Sequence, residues 1–262
     1  MLIESWRRLL TAWSVHLSFG DAATLWLVSS LARYLPGAGL QIGALGVLAR
    51  ERGVSGVAAA SAAIVNTMVN VATGVAVILV FGGRGLAAAS GRRAPDAALA
   101  AIGLAAVGAL ALLPVVLPAL GRVAARVTGR DVSLASLPAR LVLVAAAGNT
   151  AGWLLYGLAF RTLSGALFGP PTGAASGYTA VYTASYLWGL FAFAVPAGLG
   201  AQEFALSLLM PPLAALPPAQ TAVLTVAARL WRTVLETAPA ALLLVYARAH
   251  DRFTPRPPHG TI

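Results

Sequence analysis

Arg229, Arg232 and Glu236 lie at steps of three and four residues inside an otherwise apolar run. If that run is helical, the three share one face, and Arg232 and Glu236 form an i,i+4 pair. A charge at the centre of a bilayer costs at least about 2.5 kcal/mol unless it is paired or wetted, so such a face marks a site or a partner. Guanidinium groups hold phosphate through paired, charge-assisted hydrogen bonds, and an anionic head group is the ligand this face would suit. Asn66 and Asn70, one helical turn apart in an earlier apolar run, would offer a neutral polar face opposite the cationic one. Glu203 is a lone carboxylate in apolar surroundings. It can pair with Arg229 or Arg232, or act as a proton site if burial raises its pKa. A structural ion network among Arg229, Arg232 and Glu236 is the competing reading, and the two are compatible.

Other residue patterns carry less chemistry. Three histidines (His16, His250, His259) are scattered, and no HExxH, GxSxG or metal-spaced carboxylate pair occurs. With no cysteine, disulfides and thiolate chemistry are excluded. All 18 basic residues are arginine, which excludes a Schiff-base or P-loop lysine. The glycine-rich stretch 37–43 lacks GxGxxG spacing. The expectation is therefore no enzyme, no metal and no cofactor. Tyr178, Tyr182 and Tyr186 make an i,i+4,i+8 stripe that reads first as packing or an interfacial belt. Gly148 and Gly152, beside Asn149 and Trp153, read as a close helix crossing. His16 and Asp21, five apart, do not share a helix face.

Two breaks must position the charged residues. Arg33-Tyr34-Leu35-Pro36-Gly37-Ala38-Gly39-Leu40-Gln41 and Ala194-Val195-Pro196-Ala197-Gly198-Leu199-Gly200-Ala201-Gln202-Glu203 are proline-glycine interruptions 160 residues apart. Each ends in an amide or carboxylate and precedes a long apolar run. In lipid, backbone freed from helical bonding finds no water, so such breaks persist where they line a cavity. Matched breaks in two halves point to a transporter-type site. Pro36 to Asn66 spans 30 residues and Pro196 to Arg229 spans 33, so the order of break and polar helix repeats. The pseudo-repeats are placed at about 33–81 and 194–247.

Composition sets the class. The chain is 59% hydrophobic and 10% charged, against the roughly 25% charged residues of a soluble domain. Spans are predicted at about 10–32, 54–81, 97–120, 141–163, 177–195 and 219–247, with 33–52 and 197–215 as re-entrant or half-spanning pieces. The fold class expected is all-α: a polytopic transmembrane helical bundle, one integral membrane domain over 1–262, multi-pass in the plasma membrane. A net charge of +10 suits anionic lipid surfaces. Nucleic acid is not the expected partner, because the arginines are dispersed between apolar spans. Arg122, Arg126 and Arg130 fall on one face if 121–131 is helical, as a surface-lying piece would require. Loop charge does not orient the chain, since the basic loops 82–96 and 121–140 flank one predicted span.

The stretch RYLPGAGLQIGALGVLARERGVS resembles a signature of the membrane region of lysylphosphatidylglycerol synthases and their stand-alone, flippase-like lipid transporter relatives. FAFAVPAGLGAQEFAL resembles that family's second signature, which ends in a glutamate. The resemblance covers about Trp6 to Ala247 and implies broken, membrane-dipping helices around a lipid path. Arg33, Pro36, Gly37, Arg50, Pro196, Gly198, Gly200 and Glu203 occupy its motif positions. Arg33 and Arg50 thereby join the head-group residues. Pro36, Gly37, Gly39, Pro196, Gly198 and Gly200 form the implied gate. The chain departs from the pattern at Ala197, where glycine is usual, and at Val65-Asn66, where many members carry an acidic residue. Two N-terminal spans usual in relatives are not recognisable before Ser5-Trp6-Arg7-Arg8, as in a short variant or a displaced start. The aminoacyl-transfer domain of the synthases is not recognisable either. The resemblance thus implies moving an anionic phospholipid or a polyprenyl-phosphate-linked lipid. A scaffold for a glycosyltransferase or lipid-modifying enzyme, and a membrane-embedded lipid transferase, are the alternatives. Oligomeric state is not legible.

Overall fold

The computed structural model describes residues 1–35, 39–89, 91, 101–103, 105, 108, 137–171, 173–192 and 195–253. Among these the secondary structure is helical, with no strand. The helices are α1 (Leu2–Leu10), α2 (Phe19–Ser30), α3 (Leu40–Glu51), α4 (Gly56–Ala89), α5 (Ala139–Phe168), α6 (Ala175–Phe191), α7 (Ala201–Ala214) and α8 (Pro218–Phe253). Single 3-10 turns at Leu31–Tyr34 and Pro196–Gly198 follow α2 and α6. Most of the predicted span 97–120, the basic piece with Arg122, Arg126 and Arg130, and the break residues Pro36 and Gly37 lie outside the described residues.

The first predicted span is corrected. Residues 10–32 are not one helix: the chain turns at Ser14, which is left-handed (φ 57°), and restarts at Phe19. Ser18 caps the new helix, its Oγ accepting from the Asp21 backbone N–H at 3.1 Å and donating to Asp21 Oδ2 at 2.7 Å. That is a side-chain cap of the kind that competes with helix continuation. The new helix α2 has 12 residues, about 18 Å at 1.5 Å per residue, well short of a bilayer.

Among the described residues, two helices are long and apolar enough to cross a membrane, by length and composition. They are Gly56–Ala88 of α4 (mean hydropathy 2.1) and Ala139–Phe168, α5 (mean hydropathy 1.5). The short helices behind the breaks have 12 residues (α3) and 14 residues (α7).

Both segments share one plan: a helix (α2, α6), a break with a 3-10 turn at or just before its proline, a short helix (α3, α7), then a helix of 34 or 36 residues (α4, α8). Gly39 (φ 76°) and Gly200 (φ 80°) are the N-caps of α3 and α7, a left-handed geometry that an L side chain would strain. Each is followed two residues later by a glutamine, Gln41 and Gln202.

Two apolar clusters hold these elements. One gathers Trp6, Leu9, Leu25, Leu45, Val65 and Val142 from α1 to α5; the other gathers Phe160, Tyr178, Tyr182, Leu206, Met210 and Leu224 from α5 to α8. The Trp6 indole N–H donates to the Ala59 carbonyl at 3.2 Å, fixing α1 on α4. Small residues set the closest crossings. A Cβ at Gly157 would fall 2.6 Å from Thr179 Cα, and one at Gly198 would fall 2.7 Å from the Gly189 carbonyl oxygen. Gly148 faces Ser5 in this way, whereas Gly152 meets nothing within 4 Å.

Candidate functional site

The polar face of α8 is where the two breaks meet. Glu236 is its centre. Its Oε1 accepts from Arg33 Nη1 at 2.9 Å and from Arg232 Nε at 2.9 Å, and its Oε2 accepts from the Tyr34 hydroxyl at 2.9 Å. Arg33 and Tyr34 stand in the 3-10 turn before the first break, 203 and 202 residues away in sequence. The Leu31–Tyr34 turn touches both α8 and the Pro196–Gly198 turn of the second break.

The second break supplies the other half. Arg229 Nη1 donates to Glu203 Oε1 and to the Ala197 carbonyl, both at 3.2 Å. The other oxygen of Glu203 accepts from the Gly200 backbone N–H at 2.7 Å, closing the first turn of α7 as in a capping box. The expected pairing of Glu203 with an arginine of α8 is therefore present, and the partner is Arg229. Ala197 is left-handed (φ 49°, ψ 24°), and this conformation accompanies the contact of its carbonyl with Arg229.

The two glutamines complete the symmetry of roles. Gln41 Oε1 accepts from Arg33 Nη2 at 3.0 Å, and Gln202 Oε1 accepts from Arg232 Nη1. The Arg232 guanidinium also lies 4.8 Å from the Tyr186 ring centroid, close enough for cation–π attraction. The side chains are largely withdrawn from solvent, 13% exposed for Arg232 and 19% for Glu236. Arg33, Arg229 and Arg232 oppose Glu203 and Glu236. Among the described residues, three guanidiniums against two carboxylates leave one positive charge in excess.

Asn66 and Asn70 are placed elsewhere. Asn70 Nδ2 donates to Asn149 Oδ1 at 2.8 Å, Asn149 Nδ2 donates to Asn66 Oδ1 at 3.2 Å, and Asn66 Nδ2 reaches the Leu2 carbonyl at 3.5 Å. Their amides join α4, α5 and α1, as polar side chains within a helical bundle find their partners locally. Asn70 reaches the arginine face through two aromatic neighbours. Its carbonyl accepts from the Trp153 indole at 3.1 Å, and Trp153 packs edge-on against Tyr186 at 5.2 Å.

Arg50 is also apart, exposed at the end of α3, while Arg52 beside it pairs with Asp21 at 2.8 Å. Within the tyrosine stripe, Tyr178 and Tyr182 are buried packing residues, and Tyr186 borders the charged site.

No family model, curated protein or solved structure compared with the chain matches it.

Tyr34, Gln41 and Gln202 were not assigned roles by their sequence. The signal for the glutamines was the shared register, two positions after the capping glycine of each break. Tyr34 had only its place beside Arg33.

Proposed function

We propose that this chain is a polytopic membrane protein that carries an anionic lipid, a phospholipid or a polyprenyl-phosphate-linked lipid, across the bilayer. The observation that carries the reading is the convergence of both breaks on one α8 face with an excess positive charge. A phosphate diester, with one negative charge, would neutralise that excess, and it would meet guanidinium donors suited to bidentate bonds. The resemblance to the flippase-like lipid transporters supports the same reading.

Membrane residence draws on the surface. Only 33% and 28% of the most apolar windows of α4 and α5 are covered by the rest of the protein. Core helices of a water-soluble protein would be mostly covered. On α8, Val223, Val226, Leu230 and Val234 form an exposed apolar stripe at steps of three, four and four. Apolar surface of this extent seeks lipid or a partner. The multi-pass bundle and its plasma-membrane location belong to this proposal.

The test is translocation of a fluorescent phosphatidylglycerol by the purified chain in phosphatidylcholine vesicles. Activity lost in Arg229→Gln or Arg232→Gln, with the folded state retained, supports the reading. Vesicles with no translocation above protein-free controls would sink it. A membrane scaffold for a lipid enzyme or glycosyltransferase is the second reading, favoured by one observation: Arg33, Arg229 and Arg232 each already hold a carboxylate partner. Full translocation by Arg-to-Gln variants would leave the charges with that structural role alone.

A further inference from the structure

Between α3 and the start of α4 runs an open groove of about 270 Å3, lined by Ile42, Gly43, Gly46, Arg50, Ala60 and Ile64 among others. Its walls are apolar and exposed at Val57 and Ile64. Glycines bring the two helices together at its end. A Cβ at Gly46 would lie 3.2 Å from the Gly56 carbonyl oxygen, and one at Gly56 would lie 2.6 Å from Arg50 Nε. The Arg50 side chain therefore lies across Gly56, in the room a larger residue would take.

Arg50 differs from the arginines of α8. Its guanidinium is exposed and makes no hydrogen bond or ion pair with any described residue. The neighbouring cation Arg52 is neutralised by Asp21, and Glu51, on the next position of the helix, is exposed, its carboxylate making no hydrogen bond or ion pair with any described residue. From Arg50 to Gly43 the groove follows seven residues of helix, about 10 Å. A free cation at one end and an apolar trough at the other match an amphiphile with an anionic head.

We infer that this groove is a second lipid site, holding an anionic phospholipid with its phosphate on Arg50 and one acyl chain along Gly43, Ala60 and Ile64. The inference rests on the membrane residence proposed above, but not on translocation. The charged face of α8 takes no part in it.

The test uses the purified full-length chain in neutral detergent, titrated with phosphatidylglycerol, phosphatidylcholine and free glycerol phosphate, with bound lipid counted by native mass spectrometry. Phosphatidylglycerol should bind in preference to phosphatidylcholine, and free glycerol phosphate should not displace it. Arg50→Gln should weaken binding about tenfold, as expected for one charge-assisted contact, while Arg50→Lys keeps most of it. Gly43→Phe should weaken binding to a similar degree by filling the trough, since nothing lies within 4 Å of a Cβ at Gly43. Combining Arg50→Gln with Gly43→Phe should cost little more than either alone, because both act on one lipid. Unchanged affinity in Arg50→Gln overturns the inference whether or not Gly43→Phe folds. Displacement by free glycerol phosphate overturns it too, as the mark of a site for a bare anion. A chain that binds in this way and translocates nothing would overturn the proposed function alone.

Discussion

Glu236 is the residue on which most depends, because Arg33 and Tyr34 of the first break and Arg232 of α8 itself converge on it. Removing its charge strands cations that are mostly withdrawn from water. Glu236→Gln should lower stability by about 3 kcal/mol, read as a drop in thermal midpoint in detergent, and adding Arg33→Gln should recover part of it. Glu203→Gln should cost less, about 1 kcal/mol, since an amide oxygen can still accept from Gly200 or Arg229. Glu4, in α1 and outside the long apolar helices, offers a separate handle on pH. Its carboxylate is bound by Arg7 and Arg8 at 2.7 Å each, which holds its pKa at about 2, below the usual 4.5. A depressed carboxylate stabilises the fold above the unfolded pKa and loses that contribution as pH falls through the folded one. The stability gap between wild type and Glu4→Gln should therefore be full at pH 6 and close between about pH 4.5 and 2. A gap that persists at pH 2 would show that Glu4 acts through packing.

At the scale of elements, what was legible followed from cost. Proline and glycine inside apolar runs, and arginines inside an apolar helix, are too expensive to be incidental, so the breaks and the polar face of α8 could be read directly. The division of residues 10–32 could have been read as well, from Ser18 three positions before Asp21, but that capping pattern is short beside a long apolar run. Partners 202 and 203 residues apart, such as Tyr34 and Arg33 with Glu236, leave no local trace, because only the packing of α2 on α8 brings them together. The asparagines' partner was hidden for a related reason: spacing gives their face, and only the packing of α4 on α5 brings Asn149 to it. The α6–α7 junction has its own test. Gly198 is left-handed (φ 64°) and packs on the Gly189 backbone. Gly198→Ala should cost 2 kcal/mol or more, roughly, from backbone strain and a clash with main chain together, measured by thermal unfolding.

For the whole molecule, the matched order of helix, break, short helix and long helix goes with contact between the two 3-10 turns. If translocation needs the two segments to part, joining the turns should stop it. The chain has no cysteine, so one can be introduced in each turn without background. Oxidation should cross-link them and halt lipid movement, and reductant should restore it. Cross-linked protein that still moves lipid at the uncrosslinked rate would mean that the turns stay together throughout.

Were the segments to part in this way, Ala197 would supply part of the energy. An alanine in the left-handed region carries roughly 1–2 kcal/mol of backbone strain, and here its carbonyl is held by Arg229. A ligand that draws Arg229 away would release the restraint and let the turn uncoil. On the proposed function, the second break would thus be a loaded spring with its catch on Arg229. Ala197→Gly would slacken it, raising stability while weakening the link between occupancy and shape.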